Sequence, residues 1–459
     1  MNIGIMFRIM DVRLVCLFCV LLLSSAKAIV KFHVAPMQAY TNQHLRHFYS
    51  MLHPSAWLWT EMEKTEDLLR SDDAFERRLS ETSVCNNPCV LQLGGNNLKE
   101  LQTCIHMVSS TYQHYDEINL NCGCPSVETG GSQYGAALMK DPILTRNLLA
   151  SMREETKRSS SSSSSSSSKN HIIPISVKIR IAAHDTFNPN QEESYHDFIN
   201  FVKQITNFDD DDNPQQNGMH VIVHARAAIL SGLSPSKNRS APPLKHSFVH
   251  QLAQDMPNLR ITLNGGISSL NQLEAAIKQS QTANSPIDGI MAGRWLLRYP
   301  LDLLDIHHFM NQYDANLQTF NDNYCQNQPS LAQEKAAAIL SYGEYAYQQL
   351  KQGVYSKSDI LSPLCLVAFQ LQEQMSILDD KFDSLDDTED ISKLRIEDDC
   401  MDVLQVALYD AVTSAIENDD MNRRKKSDDN KSVKAVLKAF QRALGKKVFN
   451  KLKKNRNEI

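Results

Sequence analysis

Residues 116–126 read Asp116-Glu117-Ile118-Asn119-Leu120-Asn121-Cys122-Gly123-Cys124-Pro125-Ser126. A short β-rich apolar segment, Glu117–Gly123, runs into a loop that starts with glycine, cysteine and proline. Before it lies Leu98–Thr111, whose apolar residues recur at helical spacing. The same unit recurs on both sides. Upstream stand Phe32–Met37, Ala56–Met62 and Cys89–Gly95; downstream stand Ile175–Ile181, Met219–Ala225, Arg260–Gly266 and Asp288–Arg294. Amphipathic stretches such as Leu270–Gln279 fill the gaps. Strand–helix alternation implies a parallel sheet with right-handed crossovers. Eight units predict an α/β fold, a (β/α)8 TIM barrel over residues 31–310.

Beyond about 310 the strand signal stops. Leu331–Gln349, 364–378, 400–416 and Val433–Leu452 have helical periodicity, so 320–459 reads as an all-α helical-bundle domain, with acidic 379–390 as a loop. Two polar insertions, near 158–169 (the serine run Ser159–Ser168) and 208–217 (Asp209–Asp212 with Asn213–Asn217), offer nothing to bury and read as solvated loops. At the other end, Arg8 and Arg13 precede an apolar run, Leu14–Leu23, and then Ala26-Lys27-Ala28. That pattern predicts a cleaved signal or targeting leader over 1–28.

A chain of 459 residues that is 42% hydrophobic buries a real core, which excludes a wholly disordered protein. Its ten cysteines form no dense framework. Neither Cys85/Cys89 nor Cys122/Cys124 is followed by a second pair at zinc-ribbon spacing, so reduced thiols and no metal are expected. The net charge of −6 hides a polarised chain. Residues 421–459 carry 14 Lys+Arg against 3 Asp+Glu, with Lys434, Lys438, Arg442, Lys446, Lys447 and Lys451 at helical spacing. Such a segment is either a solvated helix face or a phosphate-binding footprint.

In a barrel of this kind chemistry gathers at the C-terminal ends of the strands. Those ends carry Ala35-Pro36-Met37, Thr60-Glu61-Met62, Gln92 with Gly94-Gly95, and Asn121 with Cys124. The remaining four carry Lys178 and Arg180, His224-Ala225-Arg226, Asn264-Gly265-Gly266, and Gly293-Arg294. Glycines after strands seven and eight let backbone N–H groups approach a phosphate, and Arg294 adds a charge. An inward ammonium on Lys178 needs an anionic or electron-rich partner, either a ligand or Glu61. Gln92 can read a pyrimidine edge through its amide. Cys124, at the start of a loop, suits proton donation to a carbanion-like centre, whereas Cys122 reads as structural.

Several segments then become specific. Val34-Ala35-Pro36-Met37, Leu91-Gln92-Leu93-Gly94-Gly95, the 116–126 stretch, Tyr134-Gly135-Ala136, Val177-Lys178-x-Arg180-Ile181 and His224-Ala225-Arg226 occur in order. Leu230–Pro235, Asn238-Arg239, Pro242-Pro243-Leu244 and Asn264-Gly265-Gly266-Ile267 come after them. Together they resemble the tRNA-dihydrouridine synthases, in particular the A-type branch acting on positions 20 and 20a, over residues 31–300. The resemblance implies an FMN-binding barrel with a helical tRNA-binding domain. FMN would be held by Pro36, Met37, Gln38, Gln92, Lys178, His224, Asn264, Gly265, Gly266, Gly293 and Arg294. NADPH would be the reductant, Cys124 the proton donor, and Asn121, Arg226, Lys237 and Arg239 the contacts to tRNA. No G-x-G-x-x-G motif is present, which fits nicotinamide visiting the flavin without a Rossmann domain.

The resemblance has departures. Ser236 follows Ser234-Pro235 where the branch has lysine, and Lys237 comes one place later; Cys122 and Ala137 replace a valine and a cysteine of the pattern. Two other readings stay open, an FMN barrel acting on a small molecule and a non-catalytic RNA-binding barrel. The leader implies delivery to an organelle, a plastid first, with mitochondrion or cytoplasm as alternatives.

Overall fold

The computed structural model describes residues 30–79, 86–112, 114–125, 134–162, 172–206, 218–282, 287–315, 330–383 and 403–412. The expected leader, the Asp-rich insertion and the basic segment 421–459 lie outside the described residues.

Lys31–Val34 (β1), Trp57–Lys64 (β2), Cys89–Gly94 (β3), Glu117–Cys122 (β4), Ile175–Arg180 (β5), His220–His224 (β6), Arg260–Asn264 (β7) and Gly289–Ala292 (β8) are the barrel strands. Each lies within or beside a segment read as a strand from its composition. They close in the order β1-β8-β7-β6-β5-β4-β3-β2, every neighbour parallel. Helices between them supply the outer layer. Leu98–Thr111 is typical: Asn97 caps it by accepting the N–H groups of Lys99 and Glu100, and Leu101, Cys104, Ile105 and Val108 form its buried stripe.

The pleat sorts the strand residues. One phase, including Leu120, Val177 and Val223, packs under the helices. The other phase lines the barrel. There Trp59, Val90, Ile222, Met291 and Ala35 form a small separate apolar cluster against Trp57. Much of the remaining lining is polar and buried, including Gln92, Glu117, Asn119, Ser176 and His220. On β2 the register slips between Trp59 and Met62. This bulge puts Met62 opposite Gln92 and beneath Gly94, while Thr60 Oγ1 accepts the Gln92 N–H at 3.0 Å. Glu61 is left among Glu63, Arg46 and Asp359; burial first, then Glu63, push its carboxyl up to about 7.

Three features differ from expectation. The serine run is not a loop from its start: the helix Pro142–Ser162 continues into it, and Ser159 is buried with its hydroxyl on Glu155 (3.2 Å) and His106 (3.2 Å). The rest of that insertion lies outside the described residues. The second C-terminal helix spans Lys357–Asp383, starting before 364 and running into the acidic segment read as a loop. It passes through Pro363, and Ser362 Oγ bonds the Asp359 carbonyl that the missing N–H leaves open (3.1 Å). A parallel pair, Ala183–His184 with Ala228–Ile229, joins the loops after β5 and β6; two residues are too few to show a period.

Helices Leu331–Gln352, Lys357–Asp383 and 403–412 form the C-terminal layer. They share one continuous apolar core with the barrel's helical layer. Tyr342 packs edge-on against Phe48 (5.2 Å), and His44 Nδ1 meets the Tyr345 hydroxyl at 2.9 Å. Among the described residues no helix is long and apolar enough to cross a membrane.

Candidate active site

The loop after β4 is held from several directions. Asn121 is buried, and its Oδ1 accepts the backbone N–H of Gly123 (3.2 Å) and of Cys124 (3.0 Å). The Arg180 Nε donates to the Gly123 carbonyl at 3.1 Å, and the Ala136 N–H donates to the Cys124 carbonyl at 2.9 Å. Gly135, at φ +66°, lies so close that a Cβ there would stand 2.6 Å from the Cys124 oxygen. The result is a half-buried Cys124 thiol on a pinned backbone. Cys122 is fully buried and burial pushes its thiol up, as suits a structural residue.

Around that thiol the barrel mouth collects cations. Burial, then Arg180, lower the Lys178 ammonium to about 7, and the nearby Cys124 pulls it back up. Lys178 forms no ion pair with Glu61 or with any other described residue. Arg180 is buried and ties the Cys124 loop to the loop after β6, through the carbonyls of Ala227 and Asn238 at 3.3 Å each. Arg226 bonds the carbonyls of Ser240 and Pro242. Arg239 has a buried Nε without a partner, and burial and Arg294 lower it. Burial, followed by Arg180, Lys178, Arg226 and Arg294, holds His224 well below the usual histidine range, so its imidazole is neutral. Its Nδ1 is buried and unpartnered. Lys178, Arg180, Arg226, Arg239 and Arg294 thus face one space, with no carboxylate ion-paired to any of them among the described residues.

The far wall is built of glycine. Gly265 and Gly266 have φ of +101° and +79°, conformations that favour glycine. A Cβ on Gly265 would press on His224, and one on Gly293 would lie 3.1 Å from Ala35 Cβ and 3.2 Å from Met37 Sδ. The Asn264 amide donates to the Met291 carbonyl at 2.9 Å, joining β7 to β8. Chemically, this mouth brings a thiol together with positive charge that no described carboxylate balances.

Comparison with known proteins agrees with this geometry. The family described as dihydrouridine synthase (Dus) matches residues 33–393. The chain belongs to the dihydrouridine synthase family. Among its relatives, the tRNA-dihydrouridine(20/20a) synthase of Xanthomonas campestris is 32% identical over 328 residues, covering 72% of this chain and 81% of the relative. That of Haemophilus ducreyi is 33% identical, covering 71% and 83%, and that of Pseudomonas syringae 36% identical, covering 60% and 70%.

Within this dihydrouridine synthase the residues singled out from the sequence fall into three groups. Gln92, Asn121 and Cys124 are joined by hydrogen bonds; Lys178, His224, Arg226, Arg239 and Arg294 are joined by their fields; Met37, Asn264, Gly265, Gly266 and Gly293 form the wall with Pro36 beside it. Gln38 and Lys237 are exposed, Gln38 in a turn whose neighbour Ala39 has φ +65°. Asn121, expected to touch tRNA, has both ends of its buried amide engaged inside the protein, so its observed work is to shape the Cys124 loop. Sequence reasoning passed over Arg180 as a hub. It also passed over Asn238, whose buried amide bonds both the N–H and the carbonyl of Ile229 (2.7 and 2.9 Å) and staples the loop carrying Arg239. Arg180 shares the inward phase of Lys178, the one signal that marked it.

Proposed function

We propose that this chain reduces D-loop uridines of tRNA, at positions 20 and 20a, to 5,6-dihydrouridine, with FMN as resident cofactor and NADPH as reductant. The observation that carries the reading is the set of cations without carboxylate partners beside a half-buried thiol at the barrel mouth. The residues suit FMN. Lys178 forms no ion pair and His224 Nδ1 no hydrogen bond among the described residues, and Gly265, Gly266 and Gly293 carry no side chain to shield their backbone N–H groups from a phosphate. When bound, FMN supplies the hydride that passes from NADPH to uracil C6.

The chain's own residues do the rest. Lys178 and Gln92 address the ring edge, and Arg294 with Gly265, Gly266 and Gly293 addresses the phosphate. Cys124 gives its S–H proton to C5 of the uracil. Its backbone is held by Asn121, Arg180 and Ala136, so the sulfur does not drift with the loop. Arg226, Arg239 and Lys237, on the loop after β6, face the tRNA backbone, and a flipped-out uridine enters between them and the thiol.

The test is a purified chain that is yellow and oxidises NADPH faster with unmodified tRNA. Cys124→Ala is expected to keep FMN and lose nearly all dihydrouridine formation. Full activity in that variant overturns the proton-donor role, and colourless protein overturns the cofactor. A small-molecule substrate would show instead as NADPH oxidation indifferent to tRNA. The leader leads us to propose delivery to an organelle, a plastid first; a fluorescent fusion of residues 1–40 that stays cytoplasmic overturns this.

A further inference from the structure

The polar lining of the barrel is a connected chain of hydrogen bonds, and its direction is set at both ends. At the mouth, two backbone N–H groups donate to Asn121 Oδ1, so the Asn121 nitrogen must face Gln92, 2.8 Å from its Oε1. The Gln92 Nε2 therefore faces Asn119 Oδ1 at 2.9 Å, and the Asn119 Nδ2 faces Ser176 Oγ at 2.8 Å. The Ser176 hydroxyl is left to donate to the Glu117 carboxylate. At the floor, Glu117 also accepts from His220 Nδ1 (3.0 Å) with Arg260 at 3.7 Å, and His220 Nε2 meets Thr262 Oγ1 at 2.8 Å. Burial opposes charge on Glu117, but His220, Ser176 and Arg260 outweigh it and keep the carboxyl below its ordinary value.

The chain follows a register row, Gln92↔Asn119↔Ser176↔His220, which strand tilt carries from mouth to floor. Asn119 has a second seat, with its amide reversed onto the Leu120 carbonyl and the Val177 N–H at 3.3 Å each. That seat sets its NH2 against the Gln92 Nε2 at 2.9 Å, donor against donor, and draws the Ser176 hydroxyl onto the Asn119 oxygen at 2.8 Å, away from Glu117. Since Asn121 is locked by backbone donors, Gln92 has no way to reverse and relieve the clash. The observed seat holds as long as Ser176 Oγ receives the Asn119 nitrogen and Glu117 receives the Ser176 hydroxyl.

We infer that Asn119 and Ser176 are positioning residues: Asn121 sets the sense of the Gln92 amide, and they keep its Nε2 paired so that the amide stays seated where it meets the cofactor. An amide with one N–H and one lone pair uncommitted matches the alternating C=O and N–H edge of a flavin's pyrimidine ring in one orientation and opposes it in the other. This rests on the reading that FMN occupies the mouth. It adds that an anion at the barrel floor, through Ser176 and Asn119, supports the hydrogen-bonding sense that Asn121 sets at the reactive end.

The experiment compares Ser176→Ala and Ser176→Thr with the wild-type full chain by melting temperature, FMN titration of apoprotein and reduction potential of the bound flavin. Ser176→Ala removes the acceptor that holds Asn119. It is expected to stay folded, to bind FMN roughly tenfold more weakly, the scale of one lost hydrogen bond, and to shift the flavin potential. Ser176→Thr keeps the hydroxyl and should restore both. A folded Ser176→Ala chain with wild-type FMN affinity and potential overturns the inference and leaves the FMN reading intact. If Ser176→Ala does not fold, Ser176→Cys takes its place; intermediate affinity supports the inference and wild-type affinity overturns it. A wild-type chain that binds no FMN overturns both.

Discussion

Gly135 shows how little room a single position allows. Its positive φ and the 2.6 Å approach to the Cys124 carbonyl leave no space for a methyl group against backbone. Gly135→Ala is expected to keep the fold at a cost of about 1–3 kcal/mol, displace the Cys124 loop and slow dihydrouridine formation at least tenfold with FMN retained. Flavin stoichiometry beside single-turnover rate checks it. Lys178 gives a second prediction at this scale. Its ammonium sits at about 7 against an ordinary 10.5, so between those values the unfolded chain holds more protons and apoprotein stability rises with pH. An anion docked on Lys178 draws a proton back, so FMN affinity should weaken as pH climbs above about 7, and calorimetry in buffers of different ionisation heat should record proton uptake. Much of the site was legible at this scale, because a thiol, a lysine and paired glycines at strand ends are conspicuous. Asn119, Ser176 and Arg180 were not, because their work depends on neighbours from other strands that only the closed barrel brings to them.

Among elements, the strands were the most legible and their company the least. Short β-branched runs such as Ile175–Arg180 recur between longer stretches of helical spacing, so pattern and composition located them. The bulge on β2 left no such mark, because Thr60, Glu61 and Met62 read as an ordinary strand until β3 is laid beside them. The helix read from periodicity as 364–378 instead runs through Pro363, where Ser362 repairs the gap. The C-terminal layer depends on one close crossing, where a Cβ on Gly343 would lie 2.6 Å from Ala411 Cβ and 2.7 Å from its Cα. Gly343→Leu should force helix 403–412 away from Leu331–Gln352, destabilising this layer by about 1–3 kcal/mol. The expected readout is weaker tRNA binding in a gel-shift titration with FMN content unchanged; equal loss of both would place the damage in the barrel.

Among the described residues, the barrel and the C-terminal helices pack together along the helix Gln43–Leu52. Burial lowers His44 to about 4, so it enters the fold neutral. The unfolded chain takes its proton near the ordinary value of 6.5, so the His44 contribution is present above that and is lost as pH falls toward 4. Glu61, raised to about 7, acts oppositely in an overlapping window, because its buried neutral form favours the fold at lower pH. The clean measurement is therefore a difference: urea stability from pH 7 to 4 for wild type against His44→Phe, with the acid-side loss smaller in the variant.

Barrel closure also sets an order of assembly. The first strand made, β1, pairs with β2 through His33↔Trp57 and Val34↔Leu58, and with β8 through a longer ladder. The Lys31–Asp288 ion pair reaches across 257 positions of sequence. A ribosome must therefore deliver nearly the whole barrel before its first strand finds its main neighbour. Glu117 and His220, buried in the finished barrel, lie inside a wall that is sealed only by that long-range pairing, so the barrel floor is completed by residues from opposite ends of the domain.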